Sequence, residues 1–327
     1  MGTTMNISEL QKVSYLQVGG LQGRAVPLFP CYHEDGSFEL WIANADVLIR
    51  MESSKIVEGK FFAKSRRANS DLYLAFFDFM CKRAYWNEIV PFIEGIYDDL
   101  QNIGACLAKL DLFFYEWKRT NFDARRFVTT ELEYLFSVCR SLYDLLQESI
   151  SKMWAKFEFH NSTLGKKNLP KSFRGMILEN DLLLSKDQIV AKYAIPEPMA
   201  DYYLRQAHFF TWLRDFRDYI SHSGKSIDFA FATEKGFAVS IDTKPFSSMD
   251  FWTDSNTQPY RLGSVKSLTA YLVSSTFRAV EEFAQLISRI IVFPDDIAPG
   301  YNVYICGPNT ANLKNLDSYI TEKPWYE

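Results

Sequence analysis

Between Val128 and Phe157 an apolar residue returns at every third or fourth position: Val128, Leu132, Leu135, Cys139, Leu142, Leu146, Ile150, Met153 and Phe157. At 3.6 residues per turn these positions line one face of a helix of about eight turns. A stripe that long reads as core, and the segment Phe122–Phe157 is the anchor of any fold this chain adopts. Asn121 or Asp123 is placed to cap its start. Helical spacing also marks Asp71–Ala84, Trp86 to about Lys118 with Gly95 and Gly104 as soft points, Met199–His222, and Ser264–Val292. The polar stretch His160–Arg174 breaks the long helix and reads as a loop or lid, followed by a loosely helical run to Lys192.

The first sixty residues have a different period. Val13–Val18, Arg24–Phe29 and the run from Phe38, after the turn residues Glu34–Ser37, predict a small antiparallel sheet. Lys60–Arg67, KFFAKSRR, reads as a solvated basic cluster. Ile227–Phe231 and Phe237–Ile241 flank Thr233–Gly236 as a β-hairpin, and Asn302–Cys306 is strand-like without a strong pattern. The fold class expected is therefore mainly α: a helical bundle with a small N-terminal antiparallel β-sheet and a β-hairpin insertion. Three regions are expected: 1–120, strands plus helices of unassigned role; 121–293, a helical domain; and 294–327, a tail packing on the body.

Bulk properties narrow the function classes. With 47% hydrophobic and 23% charged residues the chain is a folded globular protein rather than a disordered one. A net charge of −4 leaves no global basic field, so contact with nucleic acid needs a local patch. Five scattered cysteines, with no CxxC pair, read as reduced thiols and point to the cytoplasm. The start MGTTMNISELQK lacks the pattern of a signal peptide, and no run approaches the roughly 20 apolar residues of a membrane span. There is no P-loop, GxGxxG, GxSxG or HExxH, and histidines and cysteines show no zinc spacing, so no metal or cofactor is expected.

The chemistry concentrates in LRDFRDYISHSGKS, Leu213–Ser226. On a helix ending at Ser223-Gly224, Met199, Tyr202, Gln206, Phe209, Leu213, Phe216 and Ile220 make the core stripe. Arg205, His208, Trp212, Asp215, Tyr219 and His222 make a second, polar and aromatic stripe. Asp218 lies four residues before His222, the spacing at which a carboxylate can orient an imidazole, and Arg214 pairs with Asp218 in the same way. Arg217 lies five before His222, and its long side chain can be brought round where the helix loosens. The negative end of the helix dipole favours a protonated histidine by about 0.3–1 kcal/mol.

RDYISH, Arg217–His222, resembles the arginine, polar residue, three residues, histidine signature of the HEPN superfamily, small α-helical domains of toxin–antitoxin and defence systems. The resemblance covers about residues 122–293 and implies an all-α domain in which the motif ends one long helix packed on another. It also implies metal-independent cleavage of RNA, with two motifs meeting across a homodimer. Arg217, Asp218 and His222 are then the catalytic group, with Arg214, Tyr219, Trp212, His208 and Ser221 supporting them or lining the interface. Lys166, Lys167, Lys171, Arg174 and Lys225 are the candidates for holding RNA backbone, and an antitoxin or other protein partner is expected. The alternative is a non-catalytic helical interaction or scaffold module that uses the same helix face as a dimer or partner interface.

Overall fold

The computed structural model describes residues 4–51, 56–154, 156–161, 167–223 and 230–326, with the helical backbone alone for 217–223. Along the chain run β1 (Thr4–Asn6), β2 (Cys31–Tyr32), β3 (Phe38–Asn44), β4 (Val47–Met51) and β5 (Gly59–Ala63), then α1 (Ala75–Arg83), α2 (Val90–Thr120) and α3 (Arg125–Trp154). Next come α4 (Phe173–Ile177), β6 (Leu178–Glu179), β7 (Leu182–Leu183), α5 (Lys186–Tyr193) and α6 (Glu197–Ser223). The rest is β8 (Phe231–Thr233), β9 (Gly236–Ser240), β10 (Thr257–Gln258), β11 (Leu262–Ser264), α7 (Val265–Ile290), β12 (Asn302–Cys306) and α8 (Leu316–Thr321).

This is an α/β fold, 49% helix and 16% strand, and the expectation of a mainly α bundle is overturned. A six-stranded sheet runs in the order β1-β4-β3-β2-β5-β12, a four-stranded sheet in the order β10-β11-β9-β8, and β6 pairs with β7. The first sheet is mixed rather than antiparallel, because β2 lies parallel to β5 with Cys31 opposite Phe62. Six of the strands, β6–β11, fall inside 121–293, so that region is not all-α. The reason is non-local pairing. β5 hides inside the basic cluster, and its partner β12 is some 240 residues away, with Phe61 opposite Tyr304. Five-residue runs carry too little periodicity to declare themselves without their partners.

The chain divides into two compact units. The first comprises residues 1–95, 152–164 and 281–311 and contains the six-stranded sheet and α1. Its interior is formed by Trp41, Phe61, Phe62, Phe76, Phe77, Val303 and Ile305. Val13–Val18 and Arg24–Phe29, expected as strands, are irregular: the amide of Leu16 donates to the carbonyl of Val13, and that of Ala25 to Tyr85. Buried Arg24 holds this segment by donating to the carbonyls of Lys82 at 2.8 Å, Gly20 at 2.9 Å and Leu21 at 3.1 Å.

The second unit, residues 96–151, 165–280 and 312–327, holds most of the long helices. Facing pairs fix how three of them lie. Phe136 of α3 meets Phe216 of α6 with ring centroids 3.7 Å apart, and Tyr143 meets Phe210 at 5.7 Å. The hydroxyl of Tyr203 donates to Gln147 at 2.6 Å. Numbers rising on α3 while they fall on α6 make the pair antiparallel. Tyr202 donates to the carbonyl of Ala279 at 3.1 Å and Phe209 meets Tyr271, so α7 is antiparallel to α6 as well.

Asp99 of α2 is a costly residue in this unit. Burial pushes its carboxyl up to about 6, against a hydrogen bond with Ser141 that lowers it, and its Oδ2 is buried with no partner among the described residues. Because the folded state raises this pKa, folding gains from Asp99 only in acid and loses as pH rises from about 4 through 6. Asp99→Asn is expected to raise stability by roughly 1–2 kcal/mol at pH 7 after allowance for solvent screening. At pH 4 it is expected to change little. Urea melts of the two proteins at both pH values check this; an equal gain at both would remove the charge as its cause.

Candidate functional site at the end of helix α6

Helix α6 starts at Glu197 with Pro198 in its first turn, where a missing N–H leaves no bond unmade. The amides of Met199 and Ala200 donate back to the carbonyl of Pro196. Its core face is wider than the single stripe read from the sequence. Met199, Tyr202, Leu213 and Phe216 are buried as expected, Tyr203, Ala207 and Phe210 join them, and Gln206 and Phe209 are half-buried. Buried Gln147 of α3 accepts from Tyr203 and donates to the carbonyl of Pro170 at 2.8 Å, which fastens α6 and the 167–172 loop to one residue. The helix runs to Ser223, carrying Arg217, Asp218, Tyr219, Ser221 and His222 in its last two turns. The side chains of these five residues, and Lys166, Gly224 and Lys225 entirely, lie outside the described residues.

Of the supporting residues, Trp212, His208 and Arg214 lie among the described side chains. Trp212 is buried, its ring 4.9 Å from that of Phe136 and its Nε1 donating to the carbonyl of Pro245 at 2.9 Å. It belongs to the packing between α3, α6 and the loop after β9. His208 is exposed and borders a crevice of about 20 Å³ with Trp212, Asp250 and Tyr271. That is room for one water and no substrate.

Arg214 does not depend on Asp218 for a partner. Its Nη2 lies 3.1 Å from Asp181 Oδ1, and Arg174 Nη2 lies 2.7 Å from the same atom. These two arginines hold the Asp181 carboxyl below the usual carboxylate range, Arg174 having the larger effect. Asp181 and Asn180 form the two-residue turn between β6 and β7, both with positive φ, 60° and 49°. Asn and Asp tolerate this conformation better than other side chains, which is why a hairpin interrupts what reads as loosely helical sequence. The Asn-Asp pair between Leu178 and Leu182-Leu183 was the available signal.

Of the basic candidates, Lys167 is exposed and its Nζ donates to the carbonyl of Ala191 at 2.7 Å, and Lys171 is exposed. The described part of the 167–172 loop is docked, with Leu169 buried and its carbonyl accepting from Ser151 at 2.9 Å. The structure thus brings Arg174 and Arg214 together on Asp181 and places Lys167 against α5. Among the described residues no helix is long and apolar enough to cross a membrane. Comparison with protein-family models, with curated proteins and with solved structures finds no match for this chain.

Proposed function

We propose that this protein is a HEPN-like endoribonuclease that cleaves RNA without a metal ion, working as a homodimer in the cytoplasm within a toxin–antitoxin or defence system. One observation carries the reading: RDYISH occupies the last turns of a 27-residue helix packed antiparallel on α3, the helix with the clearest apolar stripe in the sequence. That is the setting the motif requires. The five cysteines, all free and buried, agree with a reducing compartment.

In this reading His222 accepts the proton of a ribose 2′-hydroxyl as that oxygen attacks the neighbouring phosphorus. The bond to the 5′-oxygen breaks, and a proton delivered from the second protomer's motif completes a 5′-hydroxyl product beside a 2′,3′-cyclic phosphate. Arg217 neutralises charge growing on the non-bridging oxygens through its planar fork of donors. Asp218, one turn before His222, positions the imidazole. Lys167 and Lys171 are on the surface to meet backbone phosphates, while Arg174 has first to leave Asp181.

The test is incubation of purified protein with end-labelled RNA in EDTA, beside His222→Ala and Arg217→Ala. Cleavage by the wild type alone, with cyclic phosphate ends, is expected. No cleavage by any of the three, or equal cleavage by all, overturns the proposal. Trp212 is engaged within the chain itself, which removes it from the helix face that either reading could use as an interface.

A further inference from the structure

The second unit contains an open cleft of about 860 Å³, formed by α2, α7 and the C-terminal segment from Leu313 to Tyr326. Its volume is that of a site for a small molecule. The walls are tied in place. Ser267 donates to the carbonyl of Tyr319 at 2.9 Å, Ser264 to that of Pro324, and Trp325 Nε1 to that of Ser255 at 2.9 Å. Tyr326 stacks on Phe114 with centroids 4.3 Å apart and planes 17° from parallel, and its amide donates to the carbonyl of Lys235 at 2.8 Å. A cleft with walls fixed this way is preformed, so a ligand does not have to order it.

Its chemistry is mixed in a specific way. Lys266 sits over two ring faces, 4.5 Å from the centroid of Tyr319 and 5.0 Å from that of Tyr326, and its Nζ donates to the carbonyl of Trp325 at 3.2 Å. Arg278 and Lys323 add two exposed cations, and Tyr115 contributes a ring that is 57% exposed and open to stacking. Asp317 and Glu322 also face the cleft, and Asp111 shares the charge of Lys266. A bare anion would meet these acids as well as the cations. A ligand with one anionic group, a planar ring and hydrogen-bond donors elsewhere matches every element: cations for the anion, tyrosine for the ring, carboxylates for hydroxyl or amino groups.

We propose that this cleft binds a nucleoside 5′-phosphate, the phosphate held by Arg278 and Lys323 and the base stacked on Tyr115. The proposal does not rest on the nuclease reading, since none of these residues belongs to α6. The same chemistry is offered by a free nucleotide and by the phosphorylated end of a single strand. Calorimetric titration of the full chain with adenosine 5′-monophosphate, adenosine and inorganic phosphate tests it. The nucleotide is expected to bind saturably and at least about tenfold more tightly than either fragment. Arg278→Gln with Lys323→Gln, and separately Tyr115→Ala, are each expected to weaken it about tenfold or more. All three positions are on the surface, and unchanged thermal melts establish that the variants are folded. A short 5′-phosphorylated single-stranded DNA, which has no 2′-hydroxyl to cleave, identifies the source. Displacement of the nucleotide by the DNA supports a strand end, and displacement only by free nucleotides supports a free ligand. No saturable binding up to millimolar nucleotide, binding of phosphate as tight as that of the nucleotide, or variants that bind like the wild type overturns the proposal.

Discussion

Replacing His222 with alanine is expected to lower RNA cleavage by about 10² to 10⁴-fold, the usual contribution of a positioned general acid or base. The exchange lies in the last helical turn, and a thermal melt unchanged from the wild type's is expected to accompany the loss. Arg217→Lys separates charge from geometry. Lysine keeps the positive charge and loses the planar fork, so a loss close to that of Arg217→Ala would assign the arginine to paired contacts with the phosphate. A variant that cleaves as fast as the wild type would leave His222 as a helix-end residue interacting with the dipole. The measurement is single-turnover cleavage of labelled RNA in EDTA.

The second large effect is on stability. Phe216→Ala is expected to cost about 3–5 kcal/mol, the range for a large aromatic ring removed from a close-packed interior. Phe216 is fully buried between Phe136 of α3 and Phe246, whose ring centroid lies 6.3 Å away. In a chain of this size the loss corresponds to a melting temperature lower by on the order of 10 °C. Phe216→Leu keeps most of the volume and should cost under about 1.5 kcal/mol. Because Arg217 is the next residue, cleavage measured well below the melting temperature should fall in Phe216→Ala and persist in Phe216→Leu. Calorimetry and the cleavage assay together check both halves; a melting temperature unchanged in Phe216→Ala would refute the packing of α6 on α3.

What the sequence disclosed and what it withheld follow from the range of the interactions involved. The helix read over Phe122–Phe157 spans Arg125–Trp154, and that read over Met199–His222 spans Glu197–Ser223. A helix closes its hydrogen bonds within four residues, so its pattern is written in adjacent turns. β5 and β12 satisfy each other across most of the chain, and the four charges Lys60, Lys64, Arg66 and Arg67 mask the apolar Phe61-Phe62-Ala63 between them. Arg217 and His222 are visible because they share one helix end. The cleft at Lys266 was invisible because Tyr115, Arg278 and Lys323 come from three distant segments, each ordinary in isolation. Asp181 lies between these cases: the turn had a signature, but its bonding to Arg174 and Arg214 needed the helix and the hairpin together.

The pairing of β5 with β12 also has a consequence for synthesis of the chain on the ribosome. Residues 59–63 leave the exit tunnel long before residues 302–306 exist, so one edge of the nascent sheet, carrying Phe61 and Phe62, stays open until those residues have been made. An unpaired edge of that composition is a template for pairing with other chains. A message broken or terminated upstream of Asn302 would therefore yield an aggregation-prone chain, and the first unit cannot be completed until some 240 further residues have followed β5.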